Sequence, residues 1–171
     1  FPFLYIIFFI YIYILKKDEN YNFAYLKKSV DWKFSFYLSL VFLVAGYIYT
    51  QAFEPNLLFD LPKNNFQLWL VVIVLYPILS VIPQEFIYRV FFYRRYKSLF
   101  NDNKKTMMLL NIVVFSFGHI VFQNLHAILI TALVSPIFSY AYNKKSFMTC
   151  VLVHSIGGLV IFTLGLGRFF F

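Results

Sequence analysis

The sequence predicts an all-α membrane protein, a polytopic helix bundle of about six transmembrane helices plus one amphipathic or partly buried helix. Three observations carry that expectation. The 171 residues are 61% hydrophobic and only 13% charged, against about 25% charged in soluble domains, and the mean hydropathy is +0.73. Six apolar runs approach the roughly 17–25 residues that a helix needs to cross the hydrocarbon core. Lysine and arginine gather in alternate loops, the distribution that sets orientation in a bilayer.

The first run, FPFLYIIFFIYIYIL, has no basic residue before it and has Lys16 and Lys17 after it. That is the reverse of a secretory signal peptide, so it reads as the end of a retained membrane helix. Further apolar runs cover residues 34–53, 66–83, 106–122, 125–142 and 147–167. A seventh segment, 84–99, mixes apolar positions with Glu85, Arg89, Arg94, Arg95 and Lys97. Proline suits the start of a helix, so Pro83 is expected to end one helix and open this one. Residues 60–65, DLPKNN, have turn chemistry. With no internal repeat, the chain reads as one integrated bundle: N-terminal membrane helices over 1–65 and a core carrying the chemistry over 66–167.

Twelve of the 15 basic residues fall in the first, third and fifth loops, Lys63 and Arg168 lie on the other side, and Arg89 stands apart. Odd loops are therefore expected in the cytoplasm, with the visible N-terminus outside. The net charge of +8 is a topology signal, not a nucleic-acid face; the partners expected are the lipid bilayer and a membrane peptide or protein. The single cysteine, Cys150, forms no internal disulfide and no cysteine-based zinc site, and reads as a small core residue.

An ionisable group at membrane depth costs about 2.5–3.5 kcal/mol on insertion scales, so it normally faces the bundle interior with a partner. The candidates are Glu85, Arg89, His119 and His154, with Gln84, Asn111 and Asn124 as neutral companions. Taken singly, Glu85 and Arg89 make a self-neutralising pair four residues apart, and each histidine is an imidazole satisfied by a carbonyl or a neighbouring helix. Taken together, a carboxylate and two imidazoles are the minimum for activating water and stabilising an oxyanion. On the loop topology Glu85 and His154 lie towards the cytoplasm and His119 nearer the outer half, which sets His119 apart. His126 reads as interfacial, and Gly157, Gly158, Gly165 and Gly167 as close helix packing. A small transporter is disfavoured because paired broken helices in repeated halves are missing.

In order and spacing, Gln84-Glu85-Phe86-Ile87-Tyr88-Arg89, Phe115-Ser116-Phe117-Gly118-His119 and His154-Ser155-Ile156-Gly157-Gly158 resemble the EExxxR, FxxxH and HxxxN motifs of one family. It is the CPBP family of intramembrane proteases, the CAAX protease and bacteriocin-processing group related to type II CAAX prenyl endopeptidase. The resemblance spans about residues 66–167. It implies a membrane endopeptidase, in a bacterial inner (plasma) membrane, that hydrolyses a membrane-associated peptide or protein with glutamate-activated water. Carried over by position, Glu85 is the proposed base, His119 orients the water, His154 stabilises the oxyanion, Gln84 positions and Arg89 fixes Glu85. The family has been described both as metalloproteases and as metal-independent glutamate proteases, so no cofactor is assigned. A divalent metal such as zinc would fall to Glu85, His119 and His154.

Two positions depart from the motifs. Gln84 stands where the family has its first, water-activating Glu, and an amide is no base. Gly158 stands where Asn is common. Glu85 points about 100° away from Gln84 on a 3.6-residue helix. Either a local helix rotation brings Glu85 to the water, or Gln84 positions the water while Glu85 acts from another side, or proteolysis has been lost. The last case is the alternative function, a non-catalytic homologue that binds or presents membrane peptides. Nothing in the residues argues for prenylated substrates.

Overall fold

The computed structural model describes residues 2–101 and 103–170, which form helices and turns with no strand among them. The helix starts follow local side-chain chemistry. Asp31 caps α2 (Trp32–Phe53) by accepting the Phe34 N–H. Asn65 caps the long run α4 (Phe66–Phe100), which follows α1 (Pro2–Lys16) and the five-residue α3 (Asp60–Asn64) in chain order. Asn103 caps α5 (Lys104–Phe122), Asn124 caps α6 (Leu125–Lys145) and Ser146 caps α7 (Phe147–Thr163). In each case a short polar side chain satisfies a backbone donor that the first turn leaves without a partner.

α2, α4, α5 and α6 are long and apolar enough to cross a membrane. α1 and α7 are apolar but shorter, at 15 and 17 residues. The all-helical expectation stands, with four helices of spanning length where about six were expected. The outward faces are apolar, with Phe36, Leu40 and Val44 on α2, Val71 and Val74 on α4 and Leu129 and Leu133 on α6 exposed, as suits contact with lipid tails. Polar groups lie inside: Glu85, Arg89, Asn111, Ser135, Ser139 and Thr149 are all fully buried.

The expectation that Pro83 separates two helices is corrected. Residues 66–100 form one helical run, about 50 Å long at 1.5 Å per residue, whose basic end carries Arg94, Arg95 and Lys97 past a hydrocarbon core of about 30 Å. Wider π turns at Pro77–Val81 and Phe86–Phe91 flank the four residues Ile82–Glu85. Proline lacks an N–H and crowds the carbonyl four residues back. The loosened turn makes room, and the carbonyl of Leu79, four residues before Pro83, accepts the Tyr5 hydroxyl at 2.8 Å. At Pro83 another helix thus supplies a donor to the carbonyl that the proline leaves free.

α7 runs through the interior. Cys150, Val153, His154, Gly157, Gly158 and Val160 are buried, and α7 packs against α2, α4 and α6. Beyond it Gly165 has a φ of 95° and lies so close to the Leu57 carbonyl that a Cβ would overlap it. Only glycine combines that left-handed backbone with that approach.

Candidate active site

The polar residues are positioned from three directions. Glu85 sits between the two π turns of α4, where the altered turn re-aims side chains relative to a regular helix. His119 lies on the tightened turn Gly118–Phe122 that ends α5. His154 occupies the middle of α7.

Glu85 is fully buried. Its Oε1 accepts His154 Nδ1–H at 2.7 Å, and its Oε2 lies 2.9 Å from Cys150 Sγ. Arg89 Nε is 3.4 Å from Oε2, close enough for an ion pair but without hydrogen-bond alignment. The guanidinium turns its fork elsewhere: Nη1 donates to Asn111 Oδ1 at 2.6 Å on α5, Nη2 to Ser135 Oγ at 3.2 Å on α6. Its face lies 4.8 Å over the Phe115 ring. Asn111 Nδ2 in turn donates to the Tyr88 carbonyl. One buried cation thus joins α4, α5 and α6 while compensating the carboxylate, the fork geometry that arginine supplies.

His154 is held on three sides. Nδ1 faces Glu85, the ring stacks on Phe138 at 4.4 Å between centroids and 15° between planes, and Nε2 is 3.2 Å from the Tyr76 hydroxyl. His119 Nδ1 donates to the Phe115 carbonyl at 2.8 Å. A carbonyl only accepts, so Nδ1 carries the proton and Nε2 of the neutral ring keeps its lone pair.

A cavity of about 980 Å³ opens inside the bundle, walled by residues of α1, α2, α4, α5, α6 and α7. Its lining is largely aliphatic and aromatic, with Gln84, His119, His154, Tyr76, Tyr88 and Thr131 among the polar groups. Gln84 Nε2 donates to Ser80 Oγ at 2.8 Å, and its Oε1 is buried with no hydrogen-bond partner among the described residues.

The structure brings Gln84, His119 and His154 to one cavity. The separation of His119 from the other groups, expected from loop topology, is not what is found: the turn ending α5 carries its ring to the same wall. Glu85 and Arg89 are not among the lining residues; the carboxylate lies behind His154, with both oxygens engaged. Direct contact between Glu85 and a cavity water is therefore not the arrangement seen. Nor do Glu85, His119 and His154 form a metal site, since no group of three such donors that could hold a metal ion occurs among the described residues. His154 spends its Nδ1 on the very carboxylate that would have to share the ion.

Sequence reasoning missed Tyr76 and the part played by Cys150. Cys150 is a core residue, as expected, but its thiol also borders the Glu85 carboxylate. His126 accepts or donates at Nδ1 with the Tyr49 hydroxyl at 2.6 Å and stacks on Phe169, outside the cavity lining.

The family model for type II CAAX prenyl endopeptidase Rce1-like proteins matches residues 66–160, more than half of the chain. The chain belongs to that family. The match contains the cavity-lining Gln84, His119 and His154 together with Glu85 and Arg89, so this Rce1-like chain is an integral membrane protein of a protease family. No curated protein and no solved structure matches it.

Proposed function

We propose that this Rce1-like chain is an intramembrane endopeptidase that cleaves a membrane-associated peptide or protein entering the apolar cavity from the bilayer. The observation that carries the reading is the convergence of Gln84, His119 and His154 on that cavity, with Glu85 fixed behind His154. A site that is mostly apolar with a few converging polar groups suits a substrate already dissolved in lipid. The six apolar runs are assigned as spans of a bacterial inner (plasma) membrane, residues 1–65 as N-terminal membrane helices and 66–167 as the core carrying the chemistry.

The water is assigned to His119 rather than to Glu85. Gln84 Oε1, which has no hydrogen-bond partner among the described residues, is assigned to accept one water hydrogen, and His119 Nε2 to accept the other as a proton. The water oxygen bonds to the scissile carbonyl carbon, and the carbonyl π pair moves onto its oxygen. Collapse re-forms the C=O and breaks the C–N bond, and the proton held by His119 passes to the departing nitrogen. Glu85 acts at one remove: its carboxylate fixes the His154 tautomer and stabilises positive charge on that ring, while Arg89 compensates the carboxylate. General-base assistance of this kind supplies about 10²–10⁴ in rate.

The test is cleavage of an apolar, leucine-rich peptide in proteoliposomes containing the purified chain. Hydrolysis that falls sharply in both His119→Gln and His154→Gln supports the proposal. Cleavage unaffected by either substitution sinks it, and peptide binding without cleavage identifies a non-catalytic homologue.

A further inference from the structure

One polar side chain that lines the cavity has no role in the scheme above. Tyr76 is half-buried on α4, lines the cavity, and holds its hydroxyl 3.2 Å from His154 Nε2. Its ring is packed edge-on against Phe162 at 5.2 Å. Opposite it, Gly158 offers no side chain, and a Cβ there would overlap the tyrosine ring and hydroxyl. The space at residue 158 is therefore filled by Tyr76.

We infer that Tyr76 is a catalytic residue, the hydrogen-bond donor to the oxyanion, through which His154 acts on the substrate. This rests on the peptidase reading above. Because Nδ1 of His154 is spent on Glu85 and Nε2 on Tyr76, neither ring nitrogen is left over for a substrate oxygen. A phenol has one hydrogen and two acceptor positions. With the ring doubly protonated, Nε2–H donates to the Tyr76 oxygen and the phenolic hydrogen is released to the cavity. With the ring neutral, the phenol donates to Nε2 and offers nothing. Negative charge developing in the cavity favours the first arrangement, and the Glu85 carboxylate at 2.7 Å from Nδ1 stabilises the ring charge that it requires. The hydrogen bond strengthens as the carbonyl oxygen becomes anionic, which is the condition for accelerating the chemical step. No proton leaves Tyr76. Gly158 is needed because any side chain there would displace the phenol.

The experiment compares the parent chain with Tyr76→Phe, which keeps the ring and its packing. Three readouts are taken in the same detergent: cleavage of a leucine- and phenylalanine-rich peptide, binding of that peptide, and binding of the same peptide with one amide replaced by an anionic phosphinate. The expected result is a kcat lower by about 10²–10³-fold with KM unchanged, the usual cost of one oxyanion donor. Phosphinate affinity should fall by a comparable factor while affinity for the parent peptide stays the same. A merely structural role for Tyr76 would leave the two affinities moving together. Phosphinate affinity within twofold of the parent chain in Tyr76→Phe overturns the inference, as does a parent chain that binds neither probe. A parent chain that fails to cleave but loses phosphinate affinity selectively in Tyr76→Phe overturns the peptidase reading and leaves the oxyanion site standing.

Discussion

Glu85 Oε1 and His154 Nδ1 meet at 2.7 Å, with the carboxylate fully buried and the imidazole at the cavity wall. The two residues should consequently fail in different ways. Glu85→Ala leaves the Arg89 guanidinium buried without its counter-charge, and breaking such a pair costs roughly 3–5 kcal/mol. His154→Gln removes one hydrogen-bonding partner of a carboxylate that keeps Arg89, at a cost of roughly 1–3 kcal/mol. Thermal unfolding in detergent should place Glu85→Ala well below His154→Gln, while peptide cleavage is lost in both. Equal stability losses would show that the Glu85 and Arg89 pair contributes no more than the imidazole contact.

Among the described residues the His119 side chain makes a single hydrogen bond, from Nδ1 to the Phe115 carbonyl, so its replacement tests chemistry more than folding. Glutamine at 119 can keep a donor near that carbonyl but cannot take a proton. Turnover is expected to drop by about 10²–10⁴-fold with peptide affinity unchanged. A drop in affinity with kcat preserved would make His119 a substrate-binding residue instead.

Gln84→Glu asks whether the cavity accepts a stronger base. The carboxylate would still bond Ser80, now as acceptor of the hydroxyl hydrogen, and its second oxygen would occupy the position of the unpartnered Oε1. In the cavity that His119 also lines, it offers the water a second proton acceptor, so kcat should rise. Slower cleavage in this variant would mean that the amide itself, with a donor and an acceptor fixed in place, is required.

Helical class and apolar runs were legible because they depend on neighbours in sequence. The caps were not read, although Asn65, Asn103, Asn124 and Ser146 each bond a backbone donor within three residues; Asn124 in particular caps α6 where it was expected to accompany the buried ionisable groups. The histidines and Glu85 were legible as ions too costly to leave in lipid without a partner. What could not be read was the path of α4. A proline normally marks a boundary, and the carbonyl that Pro83 leaves free is bonded by Tyr5, 74 residues away. π turns lie on either side of this stretch, and it is Gln84, not Glu85, that lines the cavity. Tyr76 escaped notice for a related reason: among 14 tyrosines, only its distance to a ring on α7 separates it from an interfacial aromatic. The one signal present was Gly158, whose missing side chain had to be matched by bulk from another helix.

Far from the cavity, Asp31 joins three helices at one end of the bundle. Its carboxylate caps α2 through the Phe34 N–H, pairs with Lys145 Nζ at 2.8 Å at the end of α6, and its own N–H donates to Thr149 Oγ1 on α7. The hydrogen bond from Lys145, followed by that from the Phe34 N–H, holds the carboxyl below its usual 3.8. A carboxylate whose folded value is depressed contributes stability in full above its unfolded value, and loses it as pH falls through the folded one. The parent chain should therefore hold a level unfolding temperature down to about pH 4 and decline below it. Asp31→Asn should start lower at neutral pH, decline less steeply in the same window, and converge with the parent at the acid end. Salt should narrow the neutral-pH gap, because the pair is partly exposed and screened. Parallel acid limbs for the two chains would show that Asp31 acts through its neutral hydrogen bonds alone.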